Sequence, residues 1–407
     1  MKRRDFLKTS SLTPLVTGAL IPAISQAVDS TTDQLVVVIF QRGAADGLSL
    51  VPPHGDDQYY QLRPTLGILP PGQSDLSALD LDGFFGIHPA MPGLKSIYDN
   101  GDLAVVHAFG SYNGSHSHFD AQDLMEQGAL TKASFDDGWL SRHLQNFDSQ
   151  NSSVFRAVSL SRSLQVSLKG SYPASAISSI SQFDIVAQSS HQELLSQSIQ
   201  TQFDEPGLLG DTASLVFDAI EQLDLADPTQ HEPQNNAVYS EDNELAVKLK
   251  QVVQLHRSNL GMEICCVDHN GWDHHDDLAS QVQTLAAELS SAMSTMYQDL
   301  GDEMQNVTVI VMTEFGRRAY ENGSAGTDHG YGSAMFAMGK GVQGGQVYGQ
   351  WPGLEQADLY GAGDLEVTTD YRTVLWELLE SKFPQSNPEN VFSDFNYPGA
   401  VGLFTQL

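Results

Sequence analysis

Apolar residues along this chain fall into short unbroken runs separated by polar, glycine-rich segments. Leu35-Val36-Val37-Val38-Ile39-Phe40 is continuous rather than alternating, and so is Leu103-Ala104-Val105-Val106-His107-Ala108-Phe109. Ile264-Cys265-Cys266-Val267 and Val307-Thr308-Val309-Ile310-Val311-Met312 repeat the pattern. Runs of this length with no polar side read as strands covered on both faces, as in a parallel sheet between helices. A helical period replaces them at 277–300, where Leu278, Val282, Leu285, Leu289, Met293, Met296 and Leu300 share one stripe. The methionines in that stripe read as core packing. Shorter helices are expected at 89–100, from 119, from about 136 and at 371–379, and a further strand at 335–338. The pattern predicts an α/β fold with an open, mostly parallel sheet. The stretch 151–245, rich in Ser and Gln and broken by Asp227, Pro228, Pro233 and Asn235, reads as an inserted lid.

The first residues belong to a different kind of segment. Arg3-Arg4-Asp5-Phe6-Leu7-Lys8 reads as a twin-arginine export signal. A weakly apolar run at 12–24, interrupted by Pro14, Gly18 and Pro22, then leads to Ser25-Gln26-Ala27, small residues suited to a signal peptidase. The run falls short of the about 20 apolar residues a membrane span needs. Residues 1–27 are therefore expected to be removed, leaving 28–407 as a periplasmic or extracellular protein with no stable membrane insertion.

Charge narrows the partners. The chain carries 20 Lys+Arg against 51 Asp+Glu, a net charge of −31. The signal holds four of the former and one of the latter, so the mature part carries 16 against 50, or −34. Such a surface repels phosphate backbones and anionic lipid, which argues against nucleic-acid and membrane-surface partners. The two cysteines, Cys265 and Cys266, are adjacent, point to opposite faces of a strand and do not jointly suit one metal.

Candidate chemistry gathers just beyond the apolar runs, where ligands bind in open α/β sheets. Asp46 follows the first strand between glycines. Ser115, His116, Ser117 and His118 precede the helix from 119, and a serine there either caps the helix or faces an anion at its N-terminus. Asp273 and His275 share one face of an extended segment after the third strand. Glu314, Arg317 and Arg318 follow the fourth, before Gly326-Thr327-Asp328-His329-Gly330. Mixed Asp and His without Cys suits Zn, Mn or Fe in hydrolytic chemistry. Gly339–Gly345 lacks the Lys-Ser/Thr ending of a phosphate-cradling loop.

FQRGAADGLSLVPPHGDDQYYQLRPTL, GIHPAM, SHFDAQD, DGWLSRHL, GWDHH, TEFGR, GTDHG and GVQGGQVYGQWPGL together resemble domain-of-unknown-function family 1501, of the alkaline-phosphatase-like clan. The resemblance runs along nearly the whole mature chain. It implies a doubly wound α/β core, with Asp46, Asp273, His275, Asp328 and His329 as ligands of one or two divalent ions, Zn or Mn. It further implies Ser117, with Ser115 behind it, as nucleophile, and Arg42 or Arg317 as an oxyanion clamp. The clan also supplies a histidine beyond the Asp-His pair; none follows His329, so either His118, His116 or His88 substitutes for it or one of the metal sites is empty. No Cys/Ser-x-Pro-x-Arg motif is present, which argues against a sulfatase of the usual kind. The expected function is hydrolysis of small-molecule or polymer-borne phosphate or related esters. The alternative is a non-catalytic periplasmic or cell-surface protein with at most a structural metal.

Overall fold

The computed structural model describes residues 34–132, 134–147, 151–183 and 208–405. The expected export signal lies outside the described residues. Eleven strands occur among them: β1 (Leu35–Gln41), β2 (Leu79–Asp80), β3 (Gly86–Ile87), β4 (Leu103–Gly110), β5 (Ala157–Ser159), β6 (Ser175–Ala176), β7 (Ile264–His269), β8 (Val307–Thr313), β9 (Ser333–Met338), β10 (Val347–Tyr348) and β11 (Thr369–Asp370). The principal helices are α1 (Pro92–Asp99), α2 (His118–Gln127), α3 (Trp139–Asn146), α4 (Leu208–Ala226), α5 (Glu244–Arg257), α6 (Leu278–Leu300) and α7 (Tyr371–Lys382).

The main sheet runs β10-β4-β9-β8-β1-β7-β5-β6, with β11 also paired to β4. Its pairings are parallel except those of β9, which is antiparallel to both β4 and β8. The continuous apolar runs follow from burial on both sides. Val37 and Ile39 of β1 pack with Leu249 and Val253 of α5 and with Leu289 and Met293 of α6. Val36, Val38 and Phe40 pack with Met125 of α2, Leu140 of α3 and Leu375 of α7. Each such fully buried side chain contributes about 1.5–3 kcal/mol relative to exposure. The fold is thus doubly wound. Cys265 and Cys266 enter opposite cores, and the methionine stripe of α6 is packing.

One region differs from its expected place. Within the stretch read as a lid, β5 pairs with β7 and extends the sheet, and β6 follows it. The break near 227–236 is tied down too: Gln234 N–H and the Tyr239 hydroxyl donate to opposite oxygens of Asp299 at 2.7 and 2.9 Å. Strands of two and three residues are too short to show a period against a serine-rich background.

The sheet's directionality places the site. The carboxyl ends of β1, β4, β7 and β8 lie along one edge, and β9, running the other way, begins there. Five loops therefore meet: those after β1, β4, β7 and β8, and the one leading into β9.

Candidate metal centre

Glycine lets these backbones touch. Gly43, just after β1, has φ +116°, and a Cβ there would lie 2.6 Å from the amide nitrogen of Asp273. Gly326 packs its α-carbon against the carbonyl of His275, leaving no room for a side chain. Only residues without a Cβ allow the loops after β1 and before β9 to press onto the loop after β7.

Four side chains converge at the junction. Asp273 Oδ1 lies 3.0 Å from His275 Nε2, 3.2 Å from His329 Nε2 and 3.3 Å from His118 Nε2. The Nε2 atoms of His275 and His329 are 3.0 Å apart. One ligand atom each from His118, Asp273 and His329 falls within 4.8 Å of the others. His275 belongs with them because its Nε2 touches both Asp273 and His329.

The opposite ring nitrogens decide what this convergence means. His118 Nδ1 donates to Glu314 Oε1 at 2.8 Å, and His329 Nδ1 donates to the carbonyl of His116 at 2.8 Å. His275 Nδ1 faces Asp328 Oδ1 at 3.6 Å. A carbonyl or an ionised carboxylate only accepts, so the Nδ1 atoms of His118 and His329 carry the protons and their Nε2 lone pairs turn inward, while His275 Nδ1 is too far from Asp328 for a hydrogen bond. Lone pairs meet a carboxylate oxygen with too few protons among them; His118 Nε2 is buried with no hydrogen-bond partner. A cation satisfies such a set. Imidazoles backed on their far nitrogen by a carboxylate or carbonyl are the usual supports of metal ligands. Tetrahedral zinc, with Zn–N of about 2.0–2.1 Å, places its ligand atoms about 3.3 Å apart. His118, Asp273 and His329 fit a divalent ion, with His275 beside Asp273 and His329 at the edge of the group.

Glu314 organises one side of this arrangement. Its carboxylate is buried, and Oε1 accepts from Gly43 N–H at 2.9 Å, Gln122 Nε2 at 2.8 Å and His118. Burial raises its pKa, but the hydrogen bonds from His118, Gln122 and Gly43 outweigh that and hold it below the usual carboxylate range. The same hydrogen bond raises the His118 pKa. Burial lowers that of His329, whose ring lies 4.3 Å from that of His118. Asp273 is partly desolvated, yet hydrogen bonding and charge from Arg317, with His329 and His118, keep its carboxyl well below the ordinary value.

The remaining sequence candidates take other places. Asp46 is fully buried in a bidentate pair with Arg63, Oδ2 to Nη1 at 2.5 Å and Oδ1 to Nη2 at 3.0 Å, and it also accepts from Ser49. In the structure both of its oxygens thus face Arg63 and Ser49, and it neutralises an arginine. Asp328 is likewise set behind His275 rather than among the inward-facing atoms. Arg317 is 1% exposed and spends its donors on the carbonyls of Gly43, Ala44, Trp272 and Thr327, on Asp273 and, at 3.4 Å, on His275 Nε2, so it presents no free donor to solvent. Arg42 is held by Glu126 and Asp268, both at 2.8 Å. Ser117 stands at the N-terminus of α2, exposed, with no capping bond from its side chain, beside His118. His88 is buried elsewhere, its pKa lowered to about 4 by burial. Next to Ser117, His116 Nε2 meets the buried Asp364 at 3.1 Å.

Sequence reasoning held His118 only as a substitute and gave Glu314 no role. A histidine at the mouth of a helix and a carboxylate one residue past a strand were the available signals. Arg63 gave none, because it lies in a stretch that reads as loop.

The molecule is thus a doubly wound α/β protein with a His/Asp cluster where the strands end. Residues 103–394 match the family described as "Protein of unknown function (DUF1501)", and the chain belongs to that family. No curated protein matches it. Among solved structures it is similar to the lipoteichoic acid synthase LtaP from Listeria monocytogenes, at 7% identity over 78% of this chain and 68% of that one, TM-score 0.35. It is also similar to alkaline phosphatase from the Antarctic bacterium TAB5, at 9% identity over 90% of this chain and 100% of that one, TM-score 0.32. A third is the C-terminal periplasmic domain of EcEptC from Escherichia coli in complex with Zn, at 9% identity over 75% and 74%, TM-score 0.32. No helix among the described residues is long and apolar enough to cross a membrane.

Proposed function

We propose that this chain is an exported, metal-dependent hydrolase of phosphate or related esters, with Ser117 as nucleophile. His118, Asp273, His275 and His329 hold zinc or manganese. The observation that carries this reading is the inward turn of three imidazole Nε2 atoms onto Asp273, with their Nδ1 atoms facing Glu314, Asp328 and the His116 carbonyl. When bound, a divalent ion would supply Lewis-acid stabilisation of developing negative charge.

The chain's own groups supply the rest. Ser117 offers a hydroxyl at the positive end of a ten-residue helix, where a tetrahedral anion is favoured. Its attack on phosphorus would release an alcohol and leave a seryl ester for water to cleave. Glu314 holds His118 in the tautomer with a free Nε2. Substrates are small or polymer-borne esters, since the acidic surface opposes nucleic acid. The closure of Asp46 and Arg42 in internal ion pairs favours one rival, a non-catalytic surface protein with a structural ion.

The deciding experiment pairs metal analysis with a panel of phosphomonoesters, phosphodiesters and sulfate esters. Turnover that disappears in Ser117→Ala while bound metal stays is expected. No turnover on any ester, with or without bound metal, contradicts the enzyme reading and establishes the rival, which needs at most a structural ion.

A further inference from the structure

Two buried guanidinium groups flank the candidate centre, and each is paired with a carboxylate expected to bind metal. Arg63 holds Asp46, and its remaining donors go to the Ser49 hydroxyl at 3.2 Å and to the carbonyls of Ala319 and Arg318 at 2.9 and 2.7 Å. Arg317 holds Asp273 at 2.6 Å and the carbonyls of Gly43 and Ala44 at 2.6 and 2.8 Å. Both are 1% exposed. A guanidinium locked by carbonyl acceptors from several loops cannot swing away to admit an ion, because its freed donors and those acceptors would be buried without partners. Guanidinium groups as a class keep their charge at any ordinary pH.

We infer that Arg63 and Arg317 act as permanent cations in place of a second metal, so that the centre takes a single divalent ion and Asp46 takes none. This rests on the metal-centre reading above. The two carboxylates differ in what is left to them. Asp46 is 1% exposed and both of its oxygens are occupied. The Asp273 side chain is 49% exposed and faces three imidazoles as well as Arg317. A second ion beside Asp46 would have to displace Arg63 within the protein interior. An ion at Asp273 finds imidazole nitrogens on the open side of the carboxylate and leaves Arg317 on its carbonyl acceptors, where it already balances part of the carboxylate charge.

The test is a count of zinc ions retained by the full-length mature protein after saturation and desalting, read by elemental analysis and repeated with manganese. One ion per chain is expected. Two retained ions overturn the inference and leave the metal centre standing. None retained overturns the metal-centre reading itself. The charge-neutral double variant Asp46→Asn/Arg63→Met should keep its one ion with affinity within about threefold; loss of that ion shows Asp46 to be a ligand and overturns the inference. Should this variant fail to fold, the count on the wild-type protein decides.

Discussion

Asp46 and Asp273 lie at the same edge of the sheet, one after β1 and one after β7, and they have opposite fates. Asp46 is enclosed: a guanidinium grips both oxygens and a serine hydroxyl adds a third bond. Asp273 is half open, with one arginine behind it and three imidazoles around it. Position in an α/β fold makes a carboxylate eligible for chemistry. The neighbours it meets, from loops far away in sequence, decide whether it closes a charge or binds a ligand.

Breaking the closed member should cost stability. Arg63→Ala leaves a buried, uncompensated carboxylate, and the expected loss is about 3–5 kcal/mol, measured by urea unfolding. Breaking the open member should cost metal instead. Asp273→Asn is expected to lower zinc affinity by about 100-fold or more, while the metal-free protein loses less stability than Arg63→Ala does, because the amide oxygen still accepts from the buried Arg317 and the side chain is part-solvated. If the two variants exchange these phenotypes, the contrast is wrong.

Finer cuts sharpen it. Glu314→Gln removes the ionised acceptor behind His118 and should weaken zinc binding about 10–100-fold, as supporting carboxylates do. Asp328→Asn, behind His275 at the longer 3.6 Å, should weaken it by about tenfold at most. Acid should separate the closed pair by its sign. Despite burial, Arg63 keeps the Asp46 pKa below its ordinary value of 3.8. The pair's stabilisation is therefore fully present above that value and is lost as pH falls through the lower folded-state one. Unfolding of Asp46→Asn/Arg63→Met across that window should show a shallower acid slope than the wild type.

How far the sequence disclosed this follows from the same contrast. Strands buried on both faces leave continuous apolar runs, so β1, β4, β7 and β8 and the common edge at which they end were legible. Asp273, His275 and His329 stood out because histidines cluster beside glycines there. The partition between Asp46 and Asp273 was not legible, since it depends on Arg63, 17 residues beyond Asp46 in a stretch that reads as loop. His118 and Glu314 are 196 residues apart, and only the sheet order makes them neighbours. Strands β5 and β6, at one end of the sheet, were hidden for a simpler reason: they are too short to carry a pattern.

The central claim is that three imidazoles present their Nε2 atoms to one ion. Zinc K-edge X-ray absorption on the loaded protein tests it directly. The account predicts a shell of nitrogen and oxygen at about 2.0–2.1 Å, with the outer-shell scattering of three imidazole rings and no sulfur. A spectrum showing oxygen ligands alone, as from zinc scattered over the acidic surface, would contradict it.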